Sequence, residues 1–342
     1  MIVIDGAAGE GGGQVLRTSL ALAMITGRPF RIENIRAGRP RPGLMRQHLT
    51  AVMAAAEICG GTTFGAEPKS TTLEFVPSCI RGGDYRFTIG TAGSTILVLQ
   101  TILLPLLWAG EPSRLVLEGG THNPHAPSFA FLQQAFLPQL ARMGAAVPAT
   151  LVRAGFYPAG GGRIEVTVAP RAGGLQPLHV PARGDLRRAH AEALVVNLPG
   201  SIGERELAVV GSRLQWPAEN LALRTDKLGE GPGNVLTLFL EFATLTQVLV
   251  AFGEQGIAAE AVATRAAKVA SRLLAQEAAA VEPHLADQLL LPMALAGGGS
   301  FTTLALTRHA TTNIDIIRRF LDVAITVAEA GPDLCTVQIG NA

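Results

Sequence analysis

The sequence predicts an α/β protein whose large domain contains three repeated βαβαβ-type units, with a small α/β domain inserted into it. Strand-like and helix-like segments alternate along the chain, which is typical of α/β proteins. The same order of segments recurs, which indicates an internal repeat, and about a hundred residues with a separate pattern interrupt the third copy. The length of 342 residues accommodates about two domains of roughly 150 residues each.

The first unit starts at the N-terminus. Met1-Ile-Val-Ile-Asp5 carries no charged leader region, so we interpret it as a first strand rather than a signal peptide. Glycines at 6–13 then form a turn. The predicted elements are a strand at 2–5, a helix at 14–25, a strand at 30–35, a helix at 44–59 and a strand at 71–76.

The second unit repeats this order after a glycine-bearing turn at 90–94. Its predicted elements are a strand at 85–89, a helix ending at 107, a strand at 114–117, a helix at 128–143 and a strand at 163–168.

The third unit is recognisable near the C-terminus, where the predicted elements are a helix at 285–296, a strand at 301–306, a helix at 312–323 and a strand at 336–339. Its opening strand must lie before residue 285. The stretch between the second and third units has strands at 191–196, 235–241 and 248–252 and helices at 202–214 and 259–275. We therefore predict a large catalytic domain of 1–180 and 277–342 and a small inserted domain of 181–276.

The composition excludes several classes of protein. With 48% hydrophobic and 16% charged residues, the chain is neither disordered nor fibrous. A net charge of +1, from 28 basic and 27 acidic residues, excludes a polybasic protein that coats nucleic acid. Only three of the basic residues are Lys. Arginine suits planar, bidentate recognition of phosphate or carboxylate.

Neither a disulfide framework nor a membrane span is predicted. Three cysteines without a CxxC pair indicate unpaired thiols in a reducing cytoplasm. The apolar stretch 96–109 is too short to span a membrane, and 235–252 contains Glu241 and a turn-like centre. We interpret the first as a core helix and the second as a β-hairpin.

Four clusters of residues can carry chemistry. The first is the turn Gly9-Glu10-Gly-Gly-Gly-Gln14, which lacks the Lys of a Walker loop and the spacing of a Rossmann fingerprint. Glycine-rich turns are often purely structural. A carboxylate at Glu10, among backbone amides that attract anions, nevertheless indicates a metal ion nearby.

The second cluster places four arginines, residues 36, 39, 41 and 46, between a strand and a helix. A solvated loop is the ordinary interpretation of such a run. Prolines 40 and 42 stiffen this one, and rigid guanidinium forks favour phosphate recognition.

The third cluster is His284-Leu-Ala-Asp287-Gln288, at the start of a helix. Asp287 there is ordinarily a capping residue. By its position in the repeat it can also converge with Glu10 on one cleft. His122 and His125 lack a third ligand nearby, so no zinc site is predicted.

The fourth cluster contains His309. Thr312-x-x-Asp315 resembles a capping box, which predicts that His309 lies between the end of a strand at 307 and the next helix. A helix dipole there would keep the imidazole neutral, with a free lone pair. A loop histidine without a role is the alternative.

Five ordered motifs together resemble the RNA 3'-terminal phosphate cyclase family, over almost the whole chain. They are Asp5-Gly-x3-Glu10-Gly-Gly-Gly-Gln-x2-Arg17, Ile35-Arg-Ala-Gly-Arg39-x-x-Pro-Gly43-Leu-x-x-Gln47-His, Thr91-Ala-Gly-Ser94, Gly155-Phe-Tyr-Pro-x-Gly-Gly-Gly162 and Leu285-x-Asp-Gln288. That family has three repeats of one α/β unit with a small inserted domain.

The resemblance implies that an RNA 3'-phosphate end is converted to a 2',3'-cyclic phosphate at the expense of ATP, with AMP carried on His309. It implies that Glu10 and Asp287 surround a divalent metal, Mg²⁺ or Mn²⁺, and that ATP and RNA 3'-phosphate ends are the partners. The phosphate-binding residues it implies are Arg17, Arg36, Arg39 and Gln47. The nucleotide-binding residues it implies are Gln100, Pro127, His284, Leu285, Ala286, Asp287 and Gln288, with Pro127 and His284 around adenine. The family often has Tyr where this chain has His284.

Two other functions stay open from the sequence. An enolpyruvyl transferase has the same repeated architecture and binds phosphate with arginines, but it has no use for a nucleophilic histidine. A non-catalytic RNA-processing relative would lack the nucleophile, and the presence of His309 argues against it.

Overall fold

The computed structural model is an α/β protein, which confirms the predicted fold class. It describes residues 1–331 and 333–341, and the strands in these residues form four sheets of four strands each. Pro332 and Ala342, which the predicted large domain includes, lie outside the described residues.

The first sheet has the strand order β1-β2-β4-β3. β1 is parallel to β2, whereas β4 is antiparallel to both β2 and β3. Its elements are β1 (Ile2–Asp5), α1 (Gly13–Thr26), β2 (Phe30–Glu33), α2 (Arg46–Cys59), β3 (Thr62–Phe64) and β4 (Leu73–Val76).

The second sheet repeats this connectivity, in the order β5-β6-β8-β7. Its long helix changes register in a π-helical turn just before Pro138, which has no N–H for a regular helical hydrogen bond. The elements are β5 (Gly83–Thr88), α3 (Thr95–Leu106), β6 (Ser113–Gly119), α4 (Phe129–Phe131), the π-turn (Leu132–Phe136), α5 (Leu137–Arg142), β7 (Ala149–Arg153) and β8 (Gly162–Val168).

A short strand, β9 (Leu178–Val180), precedes the stretch predicted as an insertion. The sheet of that stretch has the order β11-β10-β12-β13, so its first strand is central rather than at the edge. The β12–β13 pair is antiparallel, which confirms the predicted hairpin. The elements are β10 (Leu186–Val196), α6 (Ser201–Leu214), a 3-10 turn (Ala218–Asn220), β11 (Leu221–Asp226), β12 (Gly233–Phe242), β13 (Thr246–Phe252) and α7 (Ala259–Ala275).

The remaining elements form a sheet with β9, in the order β15-β16-β14-β9. β9 is parallel to β14, so this sheet repeats the connectivity of the first two, with its opening strand ahead of the insertion. The elements are α8 (Pro283–Leu295), β14 (Gly299–Leu304), α9 (Arg308–Phe320), β15 (Val323–Gly331) and β16 (Leu334–Asn341).

Helices α1 and α3 lie in the interior of the main hydrophobic core. Most residues of α1 and α3 are buried, whereas the strands β6, β8 and β14 alternate between buried and more accessible residues. The sheets therefore lie outside the helices, each with one face toward the common core. Among the described residues, no helix is long and apolar enough to cross a membrane.

The insertion shares this core. α6 and α7 cover one face of its sheet, and the other face packs Phe239 and Val250 against the large-domain core. The loop before β8 adds Phe156 to a small cluster with Val196 and Val235. The division into domains at 181 and 276 stays a prediction.

Candidate active site

Helices from all three repeats meet around a cavity of about 50 Å³. α1, α3, α8 and α9 provide its polar residues. Four residues implied by the family resemblance lie together there, and the sequence analysis missed three others. The lining includes the predicted residues Arg17, Gln100, Asp287 and Gln288, and the further polar residues Gln14, Thr18 and Asn313.

His309 lies in the first turn of α9. The helix begins at Arg308 and is capped by Thr307, whose side chain accepts the N–H of Ala310 at 3.2 Å. The predicted capping box at Thr312 and Asp315 is therefore wrong. The Thr312 hydroxyl instead donates to the carbonyl of Arg308 at 2.6 Å. Thr307 caps the helix five residues earlier than the pattern suggested, which puts His309 inside the helix.

The two nitrogens of the His309 ring face different groups. Nδ1 lies 2.8 Å from Oε1 of Gln14, and Nε2 lies 3.8 Å from Oε1 of Glu10. The side chain is 55% exposed. Partial burial lowers the pKa of His309, and Asp287 opposes this effect, while the positive charges of Arg17 and Arg39 add to it. A neutral, accessible imidazole can act as a nucleophile.

Asp287 is not a helix cap. Glu282 caps α8, with its carboxylate accepting the N–H groups of His284 and Leu285, and Asp287 lies one turn further on and buried. Burial raises the pKa of the Asp287 carboxyl, and the hydrogen bond from Gln14 opposes the rise.

Three side-chain amides donate to the Asp287 carboxylate. Gln14 Nε2 lies 2.6 Å from Oδ1 and Asn313 Nδ2 lies 3.2 Å from it, while Gln288 Nε2 lies 3.2 Å from Oδ2. Gln100 in turn donates to Gln288. The network joins α1, α3, α8 and α9, so it fixes the side chains around the cavity relative to one another.

The glycine turn holds Glu10 beside His309. Gly9 and Gly11 adopt φ values of 60° and 62°, which a side chain would disfavour, and a Cβ at Gly9 would collide with Thr312. The backbone N–H of Glu10 donates to the Thr312 hydroxyl at 2.8 Å. The turn is therefore fastened to α9, on which the histidine lies.

Glu10 has one paired and one unpaired carboxylate oxygen. Arg39 forms an ion pair with Oε1 and donates to the Glu10 carbonyl at 3.1 Å. Oε2 is buried and has no hydrogen-bond partner among the residues that the structure describes. An orphaned carboxylate oxygen next to a candidate nucleophile fits a divalent cation.

The predicted metal pair does not form a complete protein cage. Among residues 1–331 and 333–341, no group of three His, Cys, Asp or Glu side chains could hold a metal ion. Mg²⁺ typically binds one or two carboxylates together with substrate phosphates and water. Glu10 fits that pattern, and the metal role of Asp287 stays a prediction.

Two arginines of the predicted phosphate set are partly withdrawn from solvent. Burial lowers the pKa of Arg17 to about 10, with Asp287 opposing the shift. Arg36 donates to the carbonyls of Arg41 and Gly43, at 2.7 and 3.0 Å. Its guanidinium therefore also braces the loop that carries Arg39.

His48, to which the sequence assigned no role, is half-buried near these arginines. Desolvation together with the charges of Arg36 and Arg17 lowers the pKa of His48 to about 3. Nδ1 accepts the N–H of Met45 at 3.2 Å. A neutral imidazole is the only form compatible with two neighbouring guanidinium groups.

Gln47 links α2 to the start of α3, since its Oε1 accepts the N–H of Ser94 at 2.7 Å. Pro127 is half-buried just before α4, and His284 is exposed in the first turn of α8. Leu285 and Ala286 are buried in the core. The contacts of all five residues with a nucleotide or a phosphate stay predictions.

The family model described as RNA 3'-terminal phosphate cyclase matches residues 8–327. The chain belongs to this family. It is 51% identical over 339 residues to "RNA 3'-terminal phosphate cyclase" of Ectopseudomonas mendocina, covering 99% of this chain and 98% of that protein. It is 53% identical over 338 residues to the protein of the same name from Pseudomonas fluorescens, covering 99% and 97%.

A solved enolpyruvyl transferase, NikO from Streptomyces tendae, has 13% sequence identity and a TM-score of 0.36, covering 98% of this chain and 48% of that one. Structural similarity this low supports no conclusion about fold or function.

The residues that the sequence analysis missed are mostly short polar side chains on helices. Thr18 donates to Asn313 at 2.9 Å, and Arg308 donates to the carbonyl of Gly9 at 2.7 Å. Gln14 belongs to the first of the five family motifs, but the sequence assigned it no function. The signal that could have found Gln14 and Thr18 was a polar residue on an otherwise apolar helix, which has to find a buried partner.

Proposed function

We propose that this protein converts an RNA 3'-terminal phosphate into a 2',3'-cyclic phosphodiester, using ATP and an adenylyl-His309 intermediate. Family membership supports the overall reaction. The observation that carries the intermediate is His309 itself. Its Nδ1 is held by Gln14 at 2.8 Å and its Nε2 is 3.8 Å from Glu10, on an accessible edge of the site.

In the first step, Nε2 attacks the α-phosphorus of ATP, and the Pα–O bond to the β-phosphate breaks to release pyrophosphate. Arg17 and Arg39 are suited to neutralise the phosphate oxygens, since guanidinium forks bind them through charged hydrogen bonds. A divalent cation on Glu10 would supply further charge neutralisation there. Glu10 cannot serve alone, because its negative charge would repel the triphosphate.

In the next two steps, a 3'-phosphate oxygen takes AMP from His309, and the neighbouring 2'-oxygen then displaces AMP from the 3'-phosphorus. A phosphate monoester lacks a good leaving group, whereas AMP is one. The intramolecular attack also benefits from high effective concentration. Few RNA phosphates need to be bound for this chemistry, which suits a chain of net charge +1.

The same proposal includes a divalent metal, Mg²⁺ or Mn²⁺, and a cytoplasmic location. The free cysteines Cys59, Cys79 and Cys335 favour a reducing compartment.

Incubation with α-labelled ATP tests the proposal. The wild-type protein should retain label as an acid-labile, alkali-stable adenylate, and His309→Ala should retain none while unfolding at the wild-type temperature. Label on the variant at the wild-type level would contradict the role of His309. A wild-type protein that takes up no label would favour a non-catalytic relative.

A further inference from the structure

Gln14 lies between the Asp287 carboxylate and the His309 ring. Its Nε2 donates to Asp287 Oδ1 at 2.6 Å, and its Oε1 lies 2.8 Å from His309 Nδ1. Gln14 is 7% exposed and comes from the first turn of α1, whereas His309 comes from the first turn of α9. In the proposed reaction, Gln14 contacts the His309 ring and has no other role.

The orientation of the Gln14 amide follows from its partners. Asp287 Oδ1 also accepts the amide of Asn313 at 3.2 Å, so it acts as an acceptor and the nitrogen of Gln14 must face it. The carbonyl oxygen of Gln14 then faces His309. An amide oxygen carries no proton, so the hydrogen bond at 2.8 Å requires the proton to be on Nδ1.

We propose that Gln14 is a positioning residue that holds His309 as its Nδ1–H tautomer, and that Asp287 orients the histidine through Gln14. The Nε2 lone pair is then free on the side facing Glu10, so Nε2 receives AMP. This inference rests on the proposed adenylyl-transfer function, for which it specifies the reacting nitrogen.

An amide suits this position better than a carboxylate. A carboxylate directly on Nδ1 would favour the protonated imidazolium, which has no lone pair for attack. Gln14 transmits the orientation imposed by Asp287 without placing a full negative charge on the ring. When the Nε2–P bond forms, the ring becomes cationic and the proton stays on Nδ1, from which it donates a hydrogen bond to Gln14 Oε1. The electron pair of the broken Pα–O bond leaves with pyrophosphate.

The test measures the tautomer of His309 in the free protein and the rate of adenylylation. We would record ¹⁵N chemical shifts of histidine-labelled protein at a pH where the ring is neutral, assigning His309 by comparison with His309→Ala. The wild-type ring should be protonated at Nδ1. Gln14→Leu and Gln14→Met both remove the acceptor, and Met also retains the length of the side chain.

Both variants should lose the Nδ1–H tautomer. Their single-turnover adenylylation should slow on the order of 100-fold, as misorientation of a reacting group does, with the KM for ATP near its wild-type value. Ser19→Ala is the matched control, because Ser19 is buried on the same helix and its hydroxyl donates to the Val15 carbonyl, at 2.7 Å, rather than to a residue of the site. This variant should keep the wild-type tautomer and rate, and thermal unfolding should show all variants folded.

A wild-type ring protonated at Nε2 would overturn the inference. So would a Gln14 variant, Leu or Met, that keeps the Nδ1–H tautomer and the wild-type rate. The tautomer is measured without ATP. A wild-type protein that takes up no AMP would therefore refute the proposed function, independently of the outcome for Gln14.

Discussion

Replacing Arg39 by alanine separates a role in phosphate binding from a role in stability. Arg39 pairs with Glu10 and donates to its carbonyl at 3.1 Å, and its own side chain is 41% exposed. The Glu10 side chain is only 9% exposed, so removing Arg39 leaves a nearly buried carboxylate without its partner. The free energy of unfolding of Arg39→Ala should therefore fall by about 1–3 kcal/mol.

The effect on activity has a separate cause and is measured on the folded variant. Loss of a hydrogen bond between a guanidinium and a phosphate costs ~1.5–3 kcal/mol, and every 1.4 kcal/mol is about tenfold, so we expect a drop of about 10- to 100-fold in kcat/KM. Arg39→Lys should recover only part of this loss, because a lysine keeps the charge but not the planar fork.

The assay is initial-rate cyclisation of an end-labelled RNA 3'-phosphate, with either RNA or ATP limiting, alongside urea denaturation. Arg41→Ala is the matched control. Arg41 is exposed in the same loop, and its backbone carbonyl accepts a hydrogen bond from Arg36. Alanine retains this carbonyl. If Arg39→Ala and Arg41→Ala have the same kcat/KM under both conditions, the reasoning is refuted and the loop is only a solvated surface.

Three further predictions follow from other parts of the molecule. Glu10→Ala and Asp287→Ala should each slow adenylylation, with partial recovery at higher metal concentration; metal titrations unchanged in both variants would count against a metal role. Burial raises the pKa of the Glu206 carboxyl above its ordinary value of 4.5; the contribution of Glu206 to stability should therefore fall as the pH rises above about 4.5, where the unfolded chain loses this proton before the folded chain does. Glu206→Gln should be more stable than wild type at pH 7 and equal to it near pH 4, as measured by thermal unfolding across that range. An RNA with a 2'-deoxy terminal nucleotide should accept AMP from His309 and stop at a stable pyrophosphate-bridged end, seen on a gel; release of free phosphate would show that the order of steps is wrong.

The expectation for Glu206→Gln has a specific structural basis. Asn234 donates to Glu206 Oε2 at 2.9 Å, while Glu206 Oε1 and Asn234 Oδ1 are buried without partners. A glutamine keeps the acceptor for Asn234 and provides an amide N–H that Asn234 Oδ1 can accept. The substitution removes a buried ionisable group and satisfies an orphaned oxygen at once.

Sequence patterns located several elements well. The strand at 2–5 and the helix at 259–275 have the predicted bounds. The buried residues of α7 recur at 259, 262, 263, 266, 267 and 270, a helical spacing that is visible in the sequence. The edge strands β3, β7, β11 and β15 were missed, since each has few or no buried residues. An edge strand is defined by backbone pairing with one neighbour, which leaves little trace in the side chains.

The same limit applies to the site. Glycines and arginines near Glu10 and Arg39 were visible as clusters along the chain. Gln14 and Thr18 were not, because their partners are separated from them by 273 or more residues. The capping box at Thr312 failed for a related reason. Its hydroxyl is used by Glu10, 302 residues away, and local sequence cannot show that competition.

The link between Glu10 and Thr312 makes the candidate site depend on the synthesis of α9. During synthesis the glycine turn emerges well before the histidine helix, with the whole insertion between β9 and the rest of its sheet. Pairing at such separation is slow, because the loop must close before the contact forms. A nascent or truncated chain that lacks α9 would hold much of its core yet lack His309. The adenylyl transfer proposed for this protein would therefore begin only after α9 has packed against the glycine turn.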